Sequence, residues 1–297
     1  MTSPTVLYVA IAGALTLSFS GIFVRAASVT PVTAAFYRTA YAIPVLVVWW
    51  WWGRHRDRRS PYSRLFAGAA GLFFSADLVA FHAAIAAVGA ALATLIANSQ
   101  VLLIGLVGWL MWRERPSNAA LTALPVVAAG LTLVTGVGRT DTYGDQPVLG
   151  TWLALLSALF YAAFLILWRQ SNKELAPAAG PLLDASVGAT IGSGVFGAFL
   201  PLDFQWEWPA HGWLVLMAIV CQVLAWQMIG WALPRLPGLQ TSFVILLQPA
   251  MTFVWGAIFF AERLSAIQGV GVALVFAAIA AVVRRGAVRP LVPAGDQ

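Results

Sequence analysis

The sequence predicts an all-α membrane protein with ten transmembrane helices arranged as two inverted five-helix repeats. Three observations predict it. Of 297 residues, 61% are hydrophobic and only 9% charged, with a mean hydropathy of +0.84, too little polar surface to clothe a water-soluble fold. Apolar runs of the length a bilayer core requires, ~20 residues per helix, recur along the chain. Finally, Gln100, Glu114 and Arg115 each have a twin 148 residues later, in Gln248, Glu262 and Arg263.

The apolar runs fall at 5–25, 31–53, 65–87, 90–112, 117–137, 149–169, 181–201, 211–233, 238–260 and 266–284. They are rich in Ala, Leu, Val and Gly and lack the in-out alternation of ~10-residue barrel strands. No basic stretch precedes the first run and nine more follow it, so it reads as a retained helix and not a cleaved signal. A single cysteine, Cys221, excludes a disulfide scaffold within the chain. The longest polar connections, about 138–148, 170–180 and 202–210, are of loop length and hold no nucleotide-binding or sensor domain. The expected organisation is an N-terminal unit at 1–137, a connecting loop at 138–148, a C-terminal unit at 149–284 and a tail at 285–297.

Net charge is +6 with a pI near 10.1, which in a soluble protein invites a nucleic-acid reading. Here the cations sort by side of the membrane. With the N-terminus cytoplasmic, the inner segments hold Arg54, Arg56, Arg58, Arg59, Arg64, Arg113, Arg115, Arg169, Lys173, Arg235, Arg284, Arg285 and Arg289, against Arg25, Arg139 and Arg263 outside. That asymmetry requires an even number of spans and places both termini in the cytoplasm. Trp49 to Trp52, just before the Arg54–Arg59 cluster, sit where an interfacial aromatic belt belongs, and the arginines read as a topology signal in contact with phosphate headgroups. Nucleic acid is therefore not an expected partner.

The 148-residue offset lays spans four and five on spans nine and ten, and a slightly smaller offset lays span one on span six, with Arg25 opposite Arg169. Five spans per unit is an odd number, which forces the two units into opposite orientations. Glu114 then ends a helix at the inner face and Glu262 its counterpart at the outer face. Inverted repeats are the architecture of alternating-access transporters, because one bundle in two copies adopts two related packings.

The five-plus-five pattern, the Phe36-Tyr37-Arg38 stretch in span two and the Glu-Arg pair closing spans four and nine resemble the paired EamA units of the drug/metabolite transporter superfamily, over essentially the whole chain. Within that superfamily the pattern resembles the YddG-type exporters of aromatic and other amino acids. The resemblance implies a basket of ten helices around a central cavity, efflux from the cytoplasm and residence in the bacterial inner (cell) membrane.

Asp77 lies near the middle of span three, where a lone carboxylate is expensive. It is expected either to couple protons or contact a substrate ammonium, or to pair with Arg38 at comparable depth in span two. His82 is about 140° from Asp77 on an ideal helix, so the two are not expected to share a stripe. Gln100 and Gln248 occupy midpoints of symmetry-related helices, where side-chain amides bond both ends of an amino acid, or equally tie helices together. Pro249 removes a backbone donor beside Gln248 and marks a hinge. Asn98 is about 200° from Gln100, so at most one of them is expected to face the cavity squarely.

Gln222 and Trp226 stand at i, i+4 on span eight, a polar and an aromatic group on one face. Tyr161 in span six needs a partner for its hydroxyl. Ser18 and Ser20 in span one are the comparable candidates in the related helix, with back-bonding to their own helix as the ordinary alternative. Pro44 and Pro125 predict further kinks, and Gly13, Gly21, Gly71, Gly192 and Gly194 allow close helix approach.

No Gly-rich phosphate loop, HExxH sequence, paired metal-ligand spacing or nucleophile elbow is present. The expectation is therefore not an enzyme and uses no cofactor or metal. It is a secondary transporter exporting amino acids, aromatic and other neutral ones, with lipid and small-molecule substrate as partners and a monomer among the allowed states. The alternatives are an exporter of other small metabolites or drugs of the same superfamily, or a passive channel.

Overall fold

A computed structural model describes residues 4–88, 90–135, 146–172, 179–260 and 266–285. The described residues are mostly helical, with no strand among them. In chain order the helices are α1 (Pro4–Leu17), α2 (Ser20–Ala27), α3 (Pro31–Gly53), α4 (Pro61–Val88), α5 (Ala90–Ala97), α6 (Gln100–Trp112), α7 (Asn118–Thr135) and α8 (Pro147–Ser171). They continue with α9 (Ala179–Gly197), α10 (Ala210–Met217), a π-helical stretch (Ala218–Ala225), α11 (Trp226–Ala232), α12 (Gly238–Ile245), α13 (Leu247–Phe260) and α14 (Ala266–Arg285). Five stretches are long and apolar enough to cross a membrane: Pro4–Ala27, Pro31–Arg56, Pro61–Ile85, Val148–Ser171 and Ala210–Arg235. Gln100–Met111, Asn118–Leu133 and Gly269–Val282 are shorter apolar helices. Glu262, Arg263, residues 138–145 of the connecting loop and residues 286–297 of the tail lie outside the described residues.

Several runs that read as continuous are interrupted at mid-length. The first breaks at Ser18–Phe19, the fourth at Asn98–Ser99 and the ninth at Leu246. The last two breaks differ by the same 148 residues, 246 minus 98, as the two glutamines that follow them. At the break before α6 the bonds tighten, with the Leu102 amide donating to the Ser99 carbonyl at 2.9 Å, a local 3₁₀ pattern of the kind found at hinges. α3 begins with Thr30 as N-cap, its hydroxyl accepting from the Thr33 amide, and with Pro31 in its first turn, the arrangement that starts helices most cleanly.

α4 lies between α8 and α9, α3 packs along α9, and α7 packs on α14. The α4–α9 contact is a seam of small residues. A Cβ on Gly71 would fall 1.9 Å from the Ala185 carbonyl oxygen, and one on Gly188 2.1 Å from that of Gly68. Without a hydrophobic drive between helices in lipid, such close backbone approach supplies the dispersion that holds them. Gly13 is packed closely against α11, where Ile229 stands 2.8 Å from its virtual Cβ. At Gly194 the space is ordinary, 3.7 Å from Phe36.

At the α3–α4 turn, Arg59 is buried and does not face headgroups, a correction to the reading of the Arg54–Arg59 cluster as a uniform surface signal. Its Nε and Nη2 donate to both oxygens of Asp57 at 2.8 and 2.9 Å, and Nη1 donates to Asp184 on α9 at 2.8 Å. Trp50 completes the knot, its Nε1 donating to Asp57 at 2.9 Å. A guanidinium with three strong bonds tolerates burial because its fork geometry matches the carboxylate. Arg54 does behave as a surface cation, stacked 3.6 Å over the exposed Trp51 ring. Burial pushes the Asp57 carboxyl up, but hydrogen bonds from Arg59 and Trp50 and the Arg59 charge outweigh it and hold the group at about 2.

Two outcomes follow for stability in detergent. Gly71→Ala drives a methyl into the Ala185 backbone and is expected to cost about 1–3 kcal/mol, lowering the thermal midpoint, whereas Gly194→Ala leaves it in place. Because the folded Asp57 value lies below the ordinary 3.8, its contribution is complete above that value and is lost as pH falls through about 2. The stability gap between the wild type and Asp57→Asn, measured by denaturation from pH 6 downward, is therefore expected to be widest near pH 6 and to close toward pH 2.

Candidate functional site

A cavity of about 550 Å³ opens inside the helix bundle, within the ~300–1,000 Å³ typical of small-molecule sites. Its walls come from α1 to α6, α8, α10, α11, α12 and α13. The lining runs from the buried Leu17, Ser20, Arg38, Asp77, Gln100 and Trp226 to the exposed Gly21, Arg25 and Pro31, so it reaches the surface at the α2–α3 turn. The opposite face carries Glu114 and Arg169, where Arg169 Nη2 donates to Glu114 at 2.5 Å and to the Leu236 carbonyl at 3.2 Å. Arg113 adopts a left-handed φ of 55° to end α6 and bring Glu114 round to that contact.

Of the residues singled out in the sequence, Ser20, Arg38, Asp77, His82, Asn98, Gln100, Tyr161, Trp226, Gln248 and Pro249 all line this one cavity. Gln222 does not. It stands behind Arg38, accepting from Arg38 Nε at 2.9 Å and donating to Ser186 Oγ at 3.2 Å. The shared face expected of Gln222 and Trp226 rests on α-helical spacing, and the intervening Ala218–Ala225 is π-helical, which offsets the two side chains around the axis.

Of the two alternatives for Asp77, the pair with Arg38 is absent. Arg38 Nη1 instead donates to Ser20 Oγ at 3.1 Å, while Asp77 Oδ1 accepts from Ser157 Oγ at 2.6 Å. The guanidinium also lies 5.5 Å from the Phe74 ring centroid, a cation–π distance. Ser20 is committed to Arg38 and not to its own helix, whereas Ser18 does back-bond, to the Leu15 carbonyl at 2.6 Å, and accepts from Trp255 Nε1 at 2.7 Å.

Two pairs expected to stand apart both border the cavity, each for its own reason. His82 and Asp77 both line it although an ideal helix sets them apart, because the space extends along α4 through Leu78 and Phe81. His82 bonds the Leu78 carbonyl of its own helix at 2.6 Å. Asn98 and Gln100 both line it because the helix is broken at Ser99 between them.

Sequence reasoning missed Ser157, the partner of Asp77, and the aromatic floor. Phe74, Phe164 and Trp226 meet with centroid separations of 4.8, 6.0 and 5.1 Å, and Trp168 backs them 5.1 Å from Trp226. Of these only Trp226 was singled out; with 17 Phe and 14 Trp in the chain, nothing local marked Phe74, Phe164 and Trp168. Three polar atoms on the cavity wall are buried without a hydrogen-bond partner: Arg38 Nη2, Gln100 Oε1 and Trp226 Nε1.

The EamA-like transporter family matches twice, at residues 4–136 and 148–284. The chain belongs to that family. With its long apolar helices, it is a multi-pass membrane protein. The threonine/homoserine exporter RhtA of Salmonella typhimurium strain SL1344 is 26% identical over 168 residues, 56% of this chain and 54% of that protein. RhtA of strain LT2 matches to the same extent, so the chain spans about half the length of these curated relatives. A solved crystal structure superposes with a TM-score of 0.76 over 95% of this chain and 98% of its own, at 17% identity, a likeness of fold.

Lining residues can be tested by thiol labelling, since buried Cys221 is the chain's only cysteine and is removable as Cys221→Ala. In that background Gly21→Cys and Asn98→Cys are expected to react with a small water-soluble thiol reagent in native membranes, and Gln222→Cys to stay unmodified on the same timescale.

Proposed function

We propose that this chain is a secondary transporter that exports amino acids, aromatic and other neutral ones, across the bacterial inner membrane by alternating access. Ten spans form two inverted five-helix repeats, with both termini cytoplasmic and Glu114 at the inner face. The observation that carries the reading is a cavity walled by both family-matched segments, reaching the surface at the α2–α3 turn while Arg169 and Glu114 are joined on the opposite face. A continuous pore would leave both faces open, whereas a carrier must close one while the other is open.

Amino-acid cargo is supported by the wall itself, which combines amides, a hydroxyl, an indole and a phenol with apolar surface and one formal charge of each sign in its depth. It is supported also by the half-length likeness to threonine/homoserine exporters. Phosphorylated cargo is disfavoured, since a phosphate calls for convergent cations and, among the described lining residues, Arg38 is the one arginine or lysine deep in the wall. Apolar walls discriminate poorly among similar side chains, so a broad range of neutral amino acids is the natural consequence. Switching would bend the helices at the breaks beside Gln100 and Gln248, with Pro249 freeing the backbone at the second.

Counterflow in proteoliposomes tests this reading. Unlabelled phenylalanine or threonine loaded inside is expected to accelerate entry of the same labelled amino acid, and Trp226→Ala and Gln248→Ala are expected to slow it at least about fivefold with normal expression. Acceleration absent for every amino acid tried would overturn the carrier assignment.

A further inference from the structure

Arg38 and Asp77 are 6% and 8% exposed, line one cavity and do not pair with each other. Two opposite charges buried in a common space, each held from behind by neutral groups, leave an electrostatic gap that some ligand can close. The uncommitted atoms sort by chemistry. Arg38 Nη2 and Trp226 Nε1 are donors without acceptors; Gln100 Oε1 is an acceptor without a donor. Asp77 uses Oδ1 toward Ser157 and keeps Oδ2 for another donor. Each buried polar atom left without a partner costs on the order of 1–3 kcal/mol, so a ligand that satisfies several of them at once is favoured over water or an apolar solute.

We infer that these four side chains hold the two charged ends of a single free α-amino acid: Arg38 and Trp226 bind its carboxylate, and Asp77 and Gln100 its ammonium. The inference rests on the amino-acid export reading above and deepens it, since it fixes which part of the cargo is recognised. An α-amino acid offers three ammonium donors and two carboxylate oxygens on neighbouring carbons, matching two donors and two acceptors across the cavity. The pairing is also a charge filter. A zwitterion leaves the site neutral, whereas an amine without a carboxylate leaves Arg38 unmatched and an acid without an ammonium leaves Asp77 unmatched. Arg25, the other cation on the wall, stands at the exposed mouth and takes no part. The cargo side chain is left to the apolar wall of Leu17, Leu78, Phe81, Met217 and Ile245, which contributes size preference and little else.

The background holding is itself specific. Ser20 and Gln222 occupy Arg38 Nη1 and Nε, and Ser186 fixes Gln222 in turn, so the guanidinium is oriented with Nη2 left over. Ser157 does the same for Asp77. These serines and Gln222 act as positioning residues for the two charges.

The experiment is competition in the counterflow assay, with whichever of phenylalanine and threonine is transported faster as the labelled species. Competitors are the unlabelled amino acid, its carboxamide and its N-acetyl derivative. Wild-type protein is expected to bind both blocked forms at least about tenfold more weakly, the loss typical of one charged hydrogen-bonded contact. Arg38→Gln is expected to erase the preference for a free carboxylate while keeping that for a free ammonium, and Asp77→Asn to do the reverse. If Arg38→Gln does not run as a single species on gel filtration, Trp226→Phe removes a carboxylate donor alone and is expected to narrow the free-acid preference; no narrowing there overturns the assignment. Blocked forms that compete within about twofold of the parent overturn the clamp and leave amino-acid export standing. A wild-type protein that exchanges no amino acid overturns the export reading, and the clamp with it.

Discussion

A guanidinium buried among helices must be satisfied from every side, and the satisfaction of Arg38 organises the molecule around it. Isolated in hydrocarbon, such a charge is costly by any scale. Here Ser20 on α2 and Gln222 on the π-helical stretch take two of its nitrogens, and Ser186 on α9 anchors Gln222. Ser20 and Arg38 belong to the first family-matched segment, Ser186 and Gln222 to the second. The charge therefore stitches the two halves together deep in the bundle, and it can do so only where the Ala218–Ala225 helix widens enough to turn Gln222 toward it. The same bonds aim the remaining nitrogen at the cavity, so one set of contacts serves both cohesion and recognition.

A cavity near the centre of a small membrane protein removes dispersion contacts that close packing would otherwise supply. The compensation is visible elsewhere in the bundle. Along α4 and α9 the backbones touch where Gly71 meets Ala185 and Gly188 meets Gly68, Gly192 makes room for the Ser75 side chain, and Gly13 lets α1 sink against Ile229 of α11. The helix faces that carry Phe74, Tyr161 and Trp226 are the ones that bound the open space. Small residues on one face of α4 and large or charged ones on another thus divide it into a rigid seam and a lining.

How much of this was legible in the sequence depended on how long-ranged the signal was. Membrane insertion and the paired Gln100 and Gln248 were readable because they rest on composition and on a fixed offset, which no local geometry disturbs. Ten of the chosen residues border the cavity for the plain reason that polar groups inside apolar runs have few other places to go. Arguments that relied on ideal helical angles fared worse: Gln222 turned away from Trp226 at the π-helical stretch, and Asn98 kept company with Gln100 across a break. The Arg38–Asp77 pairing failed because depth along two helices says nothing about azimuth. Arg59 was read as a headgroup ligand because its partner Asp184 is 125 residues away, a contact no spacing rule reaches.

The two ionic knots differ in a way that suits different duties. Arg59 and Asp57 have side chains only 1% exposed, while Arg169 and Glu114 are 13% and 14% exposed. Breaking a fully buried pair by losing one partner costs roughly 3–5 kcal/mol, because the other charge is stranded; a pair in contact with water nets about 0–1 kcal/mol, since solvent takes over when it opens. A carrier has to visit both closed and open forms with comparable populations, so a contact that breaks on every cycle must be weak on balance while still defining the closed geometry. On the proposed carrier reading, Arg169 and Glu114, on the face away from the cavity mouth, come closer to that condition than Arg59, Asp57 and Asp184, which fix α9 to the α3–α4 turn. In the proposed pairing of the two repeats Arg25 and Arg169 occupy related positions, and on that reading the same reasoning predicts that closure at the mouth employs a contact of similarly modest net strength, and not a second deeply buried knot.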